Sequence, residues 1–168
     1  MNKEYAIRIY ELIKNGDIEK AKEIFITNNS LLDFVTPFGT WLHVAARAGE
    51  LEMIKFLVDS GMDINIIEGV PKSAPIAQAA SEGELSIVKY LFDNGAILDV
   101  SDPNRNPLFS SIYGGNLDIA KYLVQNGIDI TVKYTGDTMK DMDAYAFAVE
   151  RGQTGIAEYL KQKMDEKK

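Results

Sequence analysis

The 168-residue sequence has no cysteine and a single histidine, His43. It can build no disulfide framework, offers no thiolate nucleophile or cysteine metal ligand, and lacks the imidazoles that most zinc sites need. The absence of cysteine fits a reducing compartment. No apolar run approaches the ~18 residues that mark a membrane-spanning helix. The opening residues Met1-Asn2-Lys3-Glu4-Tyr5 carry charge where an export signal would carry an apolar stretch. The expected location is therefore the cytoplasm, with no membrane association. A phosphate-cradling glycine loop, a nucleophile elbow and a paired-carboxylate motif are also missing.

Basic residues are scarce in one part of the chain. The formal net charge is −7, and residues 48–102 hold three basic side chains (Lys55, Lys72, Lys89) against ten acidic ones, while the segments on either side balance. With no basic face, non-specific nucleic-acid binding is not expected. Glu50, Glu52 and Glu84 fall at the starts of apolar-faced segments, where a carboxylate stabilises a helix dipole by ~0.3–1 kcal/mol. Asp59 and Asp93 fall late in those segments, facing solvent. The acidic field would speed encounter with a basic partner.

What is present is repetition. Gly16, Gly49, Gly83, Gly115 and Gly152 are separated by 33, 34, 32 and 37 residues. Four of them open a Gly-x-(Leu/Ile) step, and five residues after each Leu comes an aromatic-Leu pair: Phe56-Leu57, Tyr90-Leu91 and Tyr122-Leu123, with Tyr159-Leu160 holding that place in the last copy. Ten residues after each Leu stands Gly61, Gly95 or Gly127, where a helix can end in the left-handed conformation. Asn28 holds that place in the first copy. Upstream of each Gly-x-Leu step the trios Leu42/Ala45/Ala46, Ile76/Ala79/Ala80, Leu108/Ser111/Ile112 and Tyr145/Ala148/Val149 have helical i, i+3, i+4 spacing, as do Ile9, Leu12 and Ile13. Each segment is too short to be a stable helix alone, so the copies must bury their faces against one another.

Within this pattern Thr40-Trp41-Leu42-His43, followed by Ala45-Ala46 and by Gly61, Asp63 and Asn65, resembles the T-P-L-H and G-A-D-V-N segments of an ankyrin repeat. The second and third copies read Ala74-Pro75-Ile76-Ala77 and Asn106-Pro107-Leu108-Phe109, with Pro75 and Pro107 suited to the first turn of a helix. The resemblance implies one all-α solenoid of helix-turn-helix pairs with short β-hairpin connections. Its expected organisation is a capping pair over 3–33, repeats over 34–67, 68–101 and 102–137, and a second capping pair over 138–168 that ends in a polar tail from Lys161. It further implies that Thr40 caps a helix and hydrogen-bonds His43, which makes the one histidine structural, not catalytic.

No enzyme activity, cofactor, metal or small-molecule substrate is expected. Asp137, Asp141 and Asp143 lack the glycine and closing glutamate of a calcium loop and read as a solvated charged loop. By resemblance the protein is a binder of another protein, monomeric, that uses a concave face of hairpin tips and inner-helix ends. Those positions carry over to Phe38, Trp41, Arg47, Val70, Lys72, Glu82, Arg105, Tyr113 and Arg151, among which the aromatic and Arg residues fit hot spots best. Trp41 occupies the usual proline position and could instead pack against the first helix pair. The last connection is longer than the others and bears Tyr134 in a turn-like Tyr134-Thr135-Gly136-Asp137 tip, either a functional loop or a tolerated insertion. Two other roles remain open: a dedicated inhibitor, such as a toxin-neutralising immunity protein or a host-directed effector, and a structural or assembly subunit.

Overall fold

The structure, a computed structural model, describes residues 2–166; Met1 and two lysines of the expected tail, Lys167 and Lys168, lie outside the described residues. The described residues form five helix pairs. They are α1 (Asn2–Lys14) with α2 (Ile18–Thr27), α3 (Trp41–Ala48) with α4 (Leu51–Asp59), and α5 (Pro75–Glu82) with α6 (Leu85–Asp93). Then follow α7 (Pro107–Tyr113) with α8 (Leu117–Gln125), and α9 (Ala144–Glu150) with α10 (Thr154–Asp165). Odd-numbered helices pack in one row, α1 on α3 on α5 on α7 on α9, and even-numbered ones in a second, so the chain is an all-α repeat solenoid. The tail from Lys161 is helical as far as Asp165, since Leu160 anchors α10 in the core one turn earlier.

The inner row stacks closely because its contact faces are small. Ala45, Ala46, Ala79, Ala80, Ser111 and Ala148 are fully buried between neighbouring helices, flanked by Leu42, Ile76 and Leu108. Met53, Ile54, Leu57, Ile87, Val88, Leu91, Ile119, Ala120 and Leu123 line the side of the outer helices that closes the core. Gly114 marks the tightest approach: its backbone abuts the Ser81 carbonyl, leaving no room for a Cβ. The same approach lets Asn116 Nδ2 donate to the carbonyls of Ala80 (2.9 Å) and Ser81 (3.1 Å).

Buried polar groups at the helix starts join one repeat to the next. His43 Nδ1 accepts the Thr40 backbone N–H (3.2 Å) and hydroxyl (2.9 Å), which puts the ring proton on Nε2, 2.8 Å from the Ser73 carbonyl that it donates to. The implied Thr40–His43 bond is thus present and extends across the repeat boundary. In the third repeat Asn106 serves instead. Its Oδ1 caps α7 through the Leu108 N–H (2.9 Å), its Nδ2 donates to the Tyr134 hydroxyl (2.9 Å), and that hydroxyl donates to the Val100 carbonyl (2.8 Å). Asp143 caps α9 through the Ala146 N–H (2.8 Å).

Three expectations need correction. Trp41 is fully buried, edge-on to Phe25 (5.6 Å) and stacked with Phe34 (6.2 Å), with its Nε1–H bonded to the Leu31 carbonyl (2.7 Å). It closes the junction between the first two helix pairs, the packing role that its place at the helix start allowed. Tyr134 begins β1 (Tyr134–Gly136), paired antiparallel with β2 (Met139–Met142), and is buried edge-on against Phe109 at 4.9 Å, so it too is unavailable for binding. Asn28 does not end its helix left-handed: its φ is −142° because the chain passes directly into a 3-10 turn over Asn29–Leu31.

These contacts generate three predictions. Trp41 fluorescence will be blue-shifted and resistant to iodide quenching in the native state, and Trp41→Ala will lower unfolding free energy by ~3–5 kcal/mol in urea titrations. Gly114→Ala will cost ~1–3 kcal/mol because the added methyl must push two helices apart, and no change in the urea midpoint would refute that close approach. Burial holds the His43 imidazole below its ordinary 6.5, outweighing the Ser73 carbonyl and the Glu68 charge that act upward, while Arg47 adds to the lowering. The unfolded chain therefore binds the proton more readily, and the stabilisation is present above pH ~6.5 and lost as pH falls. His43→Gln will be the less stable protein at pH 7.5, by ~1–3 kcal/mol. Its gap to the unchanged protein will narrow toward pH 5; a gap that stays constant would refute this account.

Candidate functional site

The face of the inner helices that does not pack against neighbours lines a groove of about 640 Å³. Counting from each helix cap (Thr40, Ala74, Asn106, Asp143), its walls come from the fourth, seventh and eighth residues on: Gln78, Ser81 and Glu82 from α5, Ser110 and Tyr113 from α7, Phe147, Glu150 and Arg151 from α9, and Arg47 from α3. Pro71, Pro103, Asn104, Thr138 and Met139 of the tips form one rim. Phe109 and Phe147, stacked at 4.8 Å and 10°, make an aromatic floor toward the α9 end.

The two ends of the groove differ in their electrostatics. At the α3 end Arg47 Nη2 donates to Gln78 Oε1 (3.2 Å), Gln78 Nε2 donates to Glu82 Oε1 (2.7 Å), and Arg47 Nε lies 3.9 Å from the same carboxylate. The Arg47 guanidinium also rests 5.3 Å from the Phe38 ring centre. At the α9 end the Arg151 guanidinium lies 4.5 Å over the Tyr113 ring and 6.0 Å from that of Phe147. Among the described residues no carboxylate lies within ion-pair distance of Arg151. Tyr113 is 61% exposed, unusually open for a residue of an inner helix.

Of the sequence-derived positions, Arg47, Glu82, Tyr113 and Arg151 meet in this groove. Val70 (84% exposed) and Lys72 flank Pro71 at the tip closed by the Glu68–Ser73 bridge. Arg105 is half-buried and outside the groove, near Asp99. Partial burial pushes the Asp99 carboxyl up, but the Ser101 hydroxyl and N–H together with the Arg105 charge outweigh it and hold the group low. Phe38 stacks on Tyr10 (5.4 Å) and borders a second, apolar groove of about 340 Å³ with Ile7, Phe34 and Pro37 against α1. Sequence reasoning missed Gln78, Ser110 and Phe147. The available signal was their position four residues after each cap, on the face opposite the buried trios.

His43 is buried with both ring nitrogens engaged. Among the described residues no three His, Cys, Asp or Glu side chains are grouped to hold a metal, and no helix is long and apolar enough to cross a membrane. The groove offers hydrogen-bonding groups, stacked rings and guanidinium planes, which suit recognition of a surface.

No curated protein matches the chain. A family profile described as ankyrin repeats matches three times, over residues 9–102, 42–134 and 76–168. Ankyrin repeats are generally protein–protein interaction modules and generally non-catalytic. The matches together span all but the first eight residues, and the two rows of paired helices agree with them: the chain belongs to the ankyrin-repeat family.

Proposed function

We propose that this protein is a non-catalytic binder that receives a segment of another protein in the groove along its inner helices. One observation carries the reading. The fourth, seventh and eighth residues after each cap vary from copy to copy and, apart from Phe147, which packs on Phe109, contribute little to stacking: Gln78, Ser81 and Glu82, then Ser110 and Tyr113, then Phe147, Glu150 and Arg151. A stack needs none of that variety for its own stability, whereas a binding surface gains specificity from it. Tyr113 and Arg151 are the anchors, since large side chains with few free torsions and planar donors dominate interface energetics. Arg47, Gln78 and Glu82 supply hydrogen bonds at the other end, and Phe38, Val70 and Lys72 meet the partner at the rim. The acidic outer surface acts on encounter rate more than on affinity.

The test is affinity for a partner recovered by cross-linking in native lysate. Tyr113→Ala and Arg151→Glu should each weaken the purified complex by roughly tenfold or more. Asp59→Lys and Asp93→Lys on the outer helices should change it by less than about threefold at moderate salt. The opposite ranking would put the binding surface on the outer row and refute the groove.

A further inference from the structure

We infer that the α9 end of the groove receives a carboxylate, an Asp or Glu side chain of the partner, on the guanidinium of Arg151. This deepens the preceding reading and rests on it. Four charged side chains line the groove: Arg47, Glu82, Glu150 and Arg151. Arg47 and Glu82 satisfy each other, directly and through Gln78. That leaves Arg151 and Glu150 to set what the groove asks of a ligand, and they are not equivalent. Arg151 is held over two rings, at 4.5 Å from the Tyr113 centroid and 6.0 Å from that of Phe147. A guanidinium held over ring faces still has N–H donors to offer, and among the described residues no carboxylate pairs with those of Arg151. It has already lost much of its rotamer freedom, so closing two parallel N–H···O bonds to a carboxylate costs little further ordering. Glu150 is exposed and no ring or donor in the groove fixes it, so a cation binding there must order it first.

Glu150 is the other charge at this end of the groove, and because it is exposed to water it opposes a carboxylate on Arg151 only weakly. Ser110, Thr138 and Met139 near this end are uncharged, and no second cation stands beside Arg151 to call for the higher charge of a phosphate. The inferred contact is opposite in sign to the chain's net charge of −7. Long-range attraction of a basic partner and a local demand for one acid are compatible, because the acidic residues Glu52, Asp59 and Asp93 lie on the outer helices and away from the groove.

The probe is a library of random twelve-residue peptides displayed on phage and selected on the immobilised full-length protein, with the enriched peptides then synthesised and titrated by fluorescence anisotropy. The expected result is an Asp or Glu at one fixed position. Changing it to Asn or Gln should weaken binding to the unchanged protein roughly tenfold but hardly affect binding to Arg151→Gln, with Arg151→Lys intermediate. Ser81→Trp, which fills the groove midway and leaves both arginines in place, reports groove occupancy separately, its fold confirmed by its circular dichroism melt. If Ser81→Trp does not fold, Gln78→Leu at the α3 end takes its place. Peptides blocked by the groove variant that carry no fixed acid, or that carry a Lys or Arg coupled to Glu150, would overturn the carboxylate inference and leave the groove reading standing. Peptides indifferent to every groove variant, or no enrichment at all, would overturn both.

Discussion

Everything in this molecule depends on how closely one inner helix can lie against the next. Ala45, Ala46, Ala79, Ala80, Ser111 and Ala148 present almost no side chain at the contact, and Gly114 presents none against the Ser81 carbonyl. The outer helices meet through larger groups such as Phe92 on Tyr122, edge-on at 6.1 Å. The inner row therefore packs on small groups and the outer row on large ones, and the alanines that set the inner spacing, all fully buried, are not among the residues that line the groove.

Hydrogen bonding then fixes register where packing of small, featureless side chains would tolerate sliding. The solution differs at each boundary. His43 reaches forward to the Ser73 carbonyl, Tyr134 reaches back to Asn106 and Val100, and Asn116 reaches back to Ala80 and Ser81. Each places a polar side-chain atom on a carbonyl of a neighbouring unit, the Ser73 carbonyl accepting the Glu68 N–H as well, and each such bond contributes ~0.5–1.5 kcal/mol net. Family-typical chemistry survives at the first boundary, while the Asn–Tyr pair does the equivalent work later with residues that no short motif would flag.

The stack itself was legible in the sequence because its period is enforced by geometry. Every copy places a glycine after its inner helix, the last four place an aromatic-Leu pair on the outer one, and Pro75 and Pro107 stand at first-turn positions as their chemistry demands. Contacts between residues far apart in sequence were not legible. Trp41 could face a partner or the core until Phe25 and Phe34 are seen around it, and a Tyr in a turn-like Tyr-Thr-Gly-Asp tip gives no sign of a buried hydroxyl 34 residues from its acceptor. The candidate site was half legible. Arg47, Glu82, Tyr113 and Arg151 follow from position in the repeat, but the pairing that spends Arg47 on Glu82 and leaves Arg151 on Tyr113 is a matter of rotamers and distance.

The forward reach of His43 has a consequence for how the array comes apart. In a linear stack each unit feels only its neighbours, so cohesion is a chain of separate couplings and the molecule yields first at the smallest. The helix that begins at Pro75 has an alanine at its cap and no side-chain acceptor of its own. Its entry is held from the preceding unit, by the proton on His43 Nε2 against the Ser73 carbonyl. One imidazole therefore links the first two helix pairs to the three that follow through an N–H that it carries whether neutral or charged, and a proton added at Nδ1 disturbs the Thr40 cap of α3 instead of that link.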